Sequence, residues 1–345
     1  MGQGILHFAS DYQEGAHPAL LEALIASNRE PCSGYGTDVH SEHARELIRA
    51  ACAAPNAEVR FLVGGTQANA TVISCALRPW QGVVAAETGH IATHEAGAVE
   101  AGGHKVITLP EQLGKITAAQ VEALVSTWEA DDNHDHMVQP GMVYISQPTE
   151  YGTLYALDEL EALSAVCHAH GMLLYVDGAR LAYALATPSN TVGLADLARL
   201  CDAFYIGGTK CGCLFGEAVV IPNADTIPHF FAQIKQHGAL LAKGFVAGVQ
   251  FETLFEDGLY ERIGDAAIAA ADRIRAALAE RGMPLYLDAP TNQIFVALAD
   301  EQLARLGTQV EYSFWERLAD GRTVIRLATS WSTREQDVDA LIALL

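Results

Sequence analysis

From about Glu58 to Pro222 the chain alternates short apolar runs with stretches in which apolar residues recur every three to four positions. The short runs predict strands at 59–63, 83–87, 105–109, 142–146, 173–177, 203–207 and 217–221. Between them the spacing predicts helices, among them 66–77 and 158–170. In the second, Leu160, Leu163 and Cys167 share a face, Asp158 is placed as the N-cap and Gly171 as the stop. Such alternation packs as a mostly parallel sheet with helices on both faces. Ligands of sheets like this bind beyond the carboxyl ends of the strands.

Past Phe251 the pattern changes. It predicts a helix over 260–281, strands at 285–287 and 293–298, a helix over 301–306 and a strand at 323–328. A last helix is expected to open with the capping box Ser332-x-x-Glu335. This reads as a smaller α+β unit, and 345 residues exceed the usual size of one domain. Two domains are expected, 1–250 and 251–345.

Charge narrows the function. Lys and Arg total 21 against 42 Asp and Glu, a formal net charge of −21 that repels phosphate backbones. Nucleic acid is therefore an unfavourable partner, and any cluster of cations marks an anion site. The acidic EADDNHDH stretch (Glu129–His136) reads as a solvated loop rather than a metal site, and no metal ligand set is expected. The seven cysteines form no CxxC pair, which favours reduced thiols in a cytoplasm; Cys211 and Cys213 read as packing residues. The opening MGQGILHFAS lacks the pattern of a secretory signal, and Leu6 stands where a myristoylation motif needs Ser or Thr. No apolar run is long enough to span a bilayer.

Three motifs carry candidate chemistry. In FLVGGTQAN (61–69) a strand runs into Gly64-Gly65-Thr66 and then a helix, an arrangement that offers N–H groups to a phosphate, or simply a tight turn. In YVDGAR, Asp177 ends a buried strand, where a carboxylate needs a partner: a ligand cation, a helix N-terminus or Arg180. In YIGGTK, Lys210 follows two glycines and Thr209, at a place where a solvated lysine would be unremarkable. Taken together and in this order, they match the needs of pyridoxal 5'-phosphate (PLP). A turn holds its phosphate, a carboxylate keeps its pyridine nitrogen protonated and an amine holds its aldehyde.

With these segments the chain resembles the low-specificity L-threonine aldolases within the beta-eliminating lyase superfamily. Ser10–Tyr12 is similar to the family's N-terminal SDT, and 35–47 to its YGxDPTxxxLE segment. GTQAN (65–69) resembles its phosphate turn, and GHIATHEAGA (89–98) its histidine-bearing segment. DGAR (177–180), the lysine segment at 207–210 and IRLAT (325–329) complete the series. The resemblance implies the PLP-dependent transferase fold (fold type I) and a homodimer or homotetramer with shared active sites. It implies that Lys210 binds the cofactor aldehyde, Asp177 pairs with the ring nitrogen and His90 stacks on the ring. Gly65 and Thr66, with Thr209, would hold the phosphate. Ser10, Arg180 and Arg326 would hold the substrate carboxylate, with Arg180 also bordering the cofactor.

Departures from the family pattern set further expectations. Where many members carry a histidine in an ENTHN-like segment, this chain reads SQPTEYG, and Thr149 is taken to occupy the histidine's place. The base for the substrate hydroxyl would then be His90, Glu95 or a water. KQHGALLAKG replaces the family's glycine-rich segment, so Lys235 and Lys243 are expected to bring positive charge to the phosphate, across a subunit boundary. The implied activity is cleavage of L-threonine, L-allo-threonine or related L-β-hydroxy amino acids to glycine and an aldehyde. The rivals are β-elimination or phenylserine-type cleavage of a bulkier amino acid, and a non-catalytic protein that binds PLP or an amino acid. A nicotinamide dehydrogenase lacks its glycine fingerprint here.

Overall fold

The computed structural model describes residues 4–345; Met1–Gln3, including the Gly2 of the acylation motif, lie outside them. The strands run β1 (Leu6–His7), β2 (Glu58–Leu62), β3 (Gln81–Ala86), β4 (Val106–Leu109), β5 (Gln139–Ser146), β6 (Leu173–Asp177), β7 (Ala203–Gly207), β8 (Glu217–Ile221), β9 (Gln293–Leu298), β10 (Val310–Glu311), β11 (Ser313–Arg317) and β12 (Thr323–Ala328). Seven of them form the central sheet in the order β2-β8-β7-β6-β5-β3-β4. Pairing is parallel from β7 through β6, β5 and β3 to β4, and antiparallel where β8 inserts between β7 and β2.

β6, β7 and β8 are buried almost throughout, as continuous apolar runs should be when helices cover both faces. One core lies on each face of the sheet. The first gathers Val143, Ile145, Val176, Phe204 and Ile206, and the second Met142, Tyr144, Tyr175, Ala203 and Tyr205. Alternation along the strands thus lines three tyrosines on one face, below the helix Gly65–Ala76.

A second sheet, β11-β12-β9, is antiparallel, and its core includes Ile294, Val296, Ile325 and Leu327. The N-terminal segment joins this part of the molecule. β1 pairs with β10, and Ala328 N donates to Phe8 O at 2.8 Å.

Several expectations need correction. The helix expected over 260–281 is two, Leu259–Arg262 and Asp265–Glu280, with Ile263 and Gly264 between them. A Cβ on Gly264 would lie 2.7 Å from Ala182 O and 2.8 Å from Ala186 Cβ, so the backbone is pressed against the helix Leu181–Leu185. The strand expected at 285–287 is a single bridge, Leu285 to Val296. The last helix spans Glu335–Leu344 with Arg334 as N-cap and no side-chain cap, because Ser332 instead bonds Ser330. Helix Leu157–Ala169 has Ala156 rather than Asp158 as its N-cap, and Ala156 N donates to Glu159 Oε2 at 2.8 Å. Among the described residues no helix is long and apolar enough to cross a membrane.

Candidate active site

Beyond the carboxyl ends of β6 and β7 lies a cavity of about 650 Å³, whose lining includes Gly65, Thr66, His90, Glu150, Asp177, Arg180, Thr209, Lys210, Glu217 and Arg326. Most of the sequence-expected site residues therefore meet on one surface.

Asp177 is 4% exposed and accepts four hydrogen bonds. Its Oδ1 accepts from Tyr205 Oη at 2.5 Å and Ala179 N at 3.0 Å; its Oδ2 accepts from Tyr144 Oη at 2.6 Å and Asn69 Nδ2 at 3.0 Å. Burial by itself would raise this carboxyl's pKa. The charge of His90 and the Tyr144, Tyr205 and Asn69 hydrogen bonds outweigh burial and hold it below the ordinary value. Asp177 does not pair with Arg180.

Asn69 links this carboxylate to a second one. Its Nδ2 also donates to Glu95 Oε1 at 2.7 Å, and Glu95 Oε1 meets His90 Nδ1 at 2.7 Å. Burial lowers the His90 pKa, but the Glu95 bond and the Glu150 and Asp177 charges raise it overall. Glu95 has no exposed side-chain surface and does not border the cavity, which removes it as a base for substrate. It orients His90 from behind.

The helix Gly65–Ala76 begins with extended Gly64 as N-cap and no side-chain cap, so its first amides are free for an anion. A Cβ on Gly65 would lie 2.9 Å from Tyr205 Oη. Thr209 Oγ1 accepts from Gly216 N at 3.0 Å and borders the same cavity.

The two arginines differ. Arg180 is clamped by the buried Asp11, Nε to Oδ2 at 2.6 Å and Nη2 to Oδ1 at 3.1 Å, which commits most of its fork. Arg326 instead meets neutral acceptors, Gln293 Oε1 at 3.0 Å, Ala9 O at 3.2 Å and Ser313 Oγ at 3.3 Å. Among the described residues it has no carboxylate within ion-pair distance. Among the described residues its buried Nε has no partner, and neither does the buried Ser10 Oγ. Burial and the neighbouring Arg180 charge lower the Arg326 pKa, the signature of a guanidinium short of an anion.

Thr149 does not occupy the place expected of it. It is 2% exposed, and its hydroxyl meets Thr153 Oγ1 at 2.7 Å. The next residue, Glu150, reaches the cavity. Lys235 lies over the Tyr35 ring at 4.2 Å; neither it nor Lys243 borders this chain's cavity. Cys211 and Cys213 are buried, free thiols, and burial pushes Cys211 up to about 12. Sequence reasoning also passed over Glu217, a carboxyl on the buried strand EAVVI that burial pushes up to about 8 despite bonds from Thr209 and Gly208 N. A lone acid in an apolar strand was the available signal.

The model of the beta-eliminating lyase family matches residues 7–330. The chain belongs to this family. Two low specificity L-threonine aldolases are similar to it. That of a Pseudomonas species is 31% identical over 97% of this chain and 96% of that protein; that of Pseudomonas aeruginosa is 30% identical over 94% and 93%. The solved structure of a Leishmania major threonine aldolase superposes with a TM-score of 0.95 at 43% identity, covering 98% of each chain. Thermus thermophilus aspartate aminotransferase, at 15% identity and a TM-score of 0.73, shares the fold. The α/β, fold type I class expected from the sequence is thereby borne out.

Proposed function

We propose that this chain is a PLP-dependent aldolase that cleaves L-threonine, L-allo-threonine or related L-β-hydroxy amino acids to glycine and an aldehyde. The observation that carries the reading is that one cavity is shared by Lys210, the ionised Asp177 and Arg326, which meets only neutral acceptors among the described residues. The names of the similar proteins support it.

The residues fit the cofactor: an uncapped helix N-terminus for its phosphate, a low-pKa carboxylate for its ring nitrogen and a lysine for its aldehyde. When bound, PLP supplies a ring that accepts the electron pair of a bond breaking at the amino acid's α-carbon. Lys210 would hold the cofactor through its aldehyde. Asp177, held ionised by its donors, would pair with the ring nitrogen and favour its protonated form. His90, oriented by Glu95, would face the ring, while Gly65, Thr66 and Thr209 would hold the phosphate. Arg326 and Ser10 take the α-carboxylate and so orient the Cα–Cβ bond. Arg180, already paired, fixes this wall through Asp11. Glu150 takes the β-hydroxyl proton as the Cα–Cβ bond breaks and the aldehyde leaves.

A bulkier substrate such as phenylserine is a second reading, favoured by the aromatic wall of Tyr12, Tyr151, Phe314 and Trp315. We also propose a homodimer or homotetramer, supported by the exposed Ile25 (76%) and Val39 (74%). The test of the main reading is acetaldehyde release from L-allo-threonine, followed with coupled alcohol dehydrogenase. Release is expected, and Lys210→Ala should abolish it; release that persists in that variant sinks the mechanism.

A further inference from the structure

Away from the cavity, three chain segments bring metal-ligating groups together. Glu30 and Cys32 lie on the loop after helix Pro18–Ser27, His40 and His43 on helix Val39–Ala51, and Glu252 on helix Phe245–Glu256. One donor atom each from Glu30, Cys32 and His40 lies within 4.8 Å of the others. None of these residues borders the cavity around Lys210.

We propose that Glu30, Cys32 and His40 form a site for a divalent transition-metal ion of the Zn2+ class, with Glu252 orienting His40. His40 Nε2 faces Glu30 Oε2 at 2.9 Å, while its Nδ1 meets Glu252 Oε2 at 2.6 Å. That is the carboxylate–histidine arrangement that fixes a metal-binding imidazole, with the outer nitrogen left for the ion. Glu252 is itself held, because its Oε1 meets His43 Nδ1 at 2.7 Å. The donor set decides the ion. A thiolate beside an imidazole favours Zn2+ and its neighbours, whereas Mg2+ and Ca2+ take oxygen ligands.

Zn2+ at bond lengths of about 2.0–2.3 Å wants its donors somewhat closer together than 4.8 Å. The half-exposed Glu30 side chain is free to close that gap, and a water completes the tetrahedron. Binding releases the Cys32 thiol proton and the proton shared between His40 and Glu30. The net charge of −21 favours the uptake of a cation. In the fold, the ion would fasten the loop that leads to Tyr35 onto helices Val39–Ala51 and Phe245–Glu256.

The test uses the full-length protein as purified, stripped with a chelator and titrated with Co2+. One equivalent per chain should give the visible d–d bands of a tetrahedral, thiolate-ligated ion, and Zn2+ should displace it. Cys32→Ser should abolish the bands, and Glu252→Gln should weaken Co2+ binding roughly 10–100-fold. Glu30→Gln, a change at an exposed side chain, should also weaken binding and guards against misfolding of the cysteine variant. Absence of tetrahedral bands, or bands that survive Cys32→Ser, would leave only a carboxylate–imidazole cluster and overturn the site.

Discussion

Glu150 shows how much one position matters at the scale of the residue. In QPTEYG, Thr149 turns into the protein to meet Thr153, and only its neighbour reaches the cavity. A carboxylate there, among Arg180, Arg326 and His90, is placed to take a proton from a substrate hydroxyl. Glu150→Gln keeps the size and loses the base, so kcat for L-allo-threonine should fall roughly 10²–10⁴-fold. Steady-state kinetics decide it, and a kcat within twofold of the parent would exclude the role. Glu217 makes a different prediction. Its folded pKa of about 8 exceeds the ordinary 4.5, so between those values only the folded state keeps the proton. Stability is therefore lost as pH rises through this window, at up to roughly 1.4 kcal/mol per unit. Glu217→Gln should flatten that decline and raise the melting temperature near pH 8; parallel melting curves with pH for both proteins would contradict it. Asp177 and Lys210 were legible because strand-end residues keep their place whatever surrounds them. Asp11 and Asn69 were not, since each acts through a partner more than 100 residues away, which sequence spacing does not reveal, while Glu95 was singled out as a base yet acts on His90 instead.

At the scale of the element, strands were easier to read than helix ends. β6, β7, β8, β9 and β12 stand where the apolar runs placed them, because a strand buried on both faces needs no partner to be recognised. Helix boundaries depend on what each end meets. Ser332 would cap a helix if its hydroxyl were free, but Ser330 takes it. The 285–287 segment has the apolar pattern of a strand but finds only one bridge beside β9. The break at Gly264 is the strongest case. Nothing local forbids a continuous helix there, and what the sequence does not show is that Gly264 lies against Ala182. Gly264→Ala removes a helix-weakening glycine, which alone would stabilise, yet its methyl would clash with a backbone carbonyl that cannot swing away. Overpacking should dominate, at a cost of about 1–3 kcal/mol. Chemical denaturation is the check, and a variant as stable as the parent would mean the helix ends separate freely.

At the scale of the molecule, one carboxylate joins distant parts. Asp11, on the N-terminal segment, accepts two bonds from Arg180, just after β6, and one at 2.9 Å from Asn292, just before β9. We propose two domains, 1–250 and 251–345, with the start of the first span seated on the second; the division then falls within helix Phe245–Glu256. Asp11 would be the polar fastening between them. Burial opposes its charge, but Arg180, Lys210 and Arg326 hold its carboxyl well below the usual range. Its contribution is present above the ordinary carboxylate pKa and is lost as pH falls below it. Asp11→Asn keeps the shape and leaves Arg180 buried without a counter-charge, which should cost about 3–5 kcal/mol at neutral pH. The difference from the parent should shrink in acid, where the parent's own carboxylate is neutralised. Because Arg180 borders the cavity, the same change frees its guanidinium to compete with Arg326 for the substrate carboxylate. KM should therefore rise along with the loss of stability. A variant that unfolds earlier but binds substrate with unchanged KM would make Asp11 a fastening alone, with no part in shaping the carboxylate pocket.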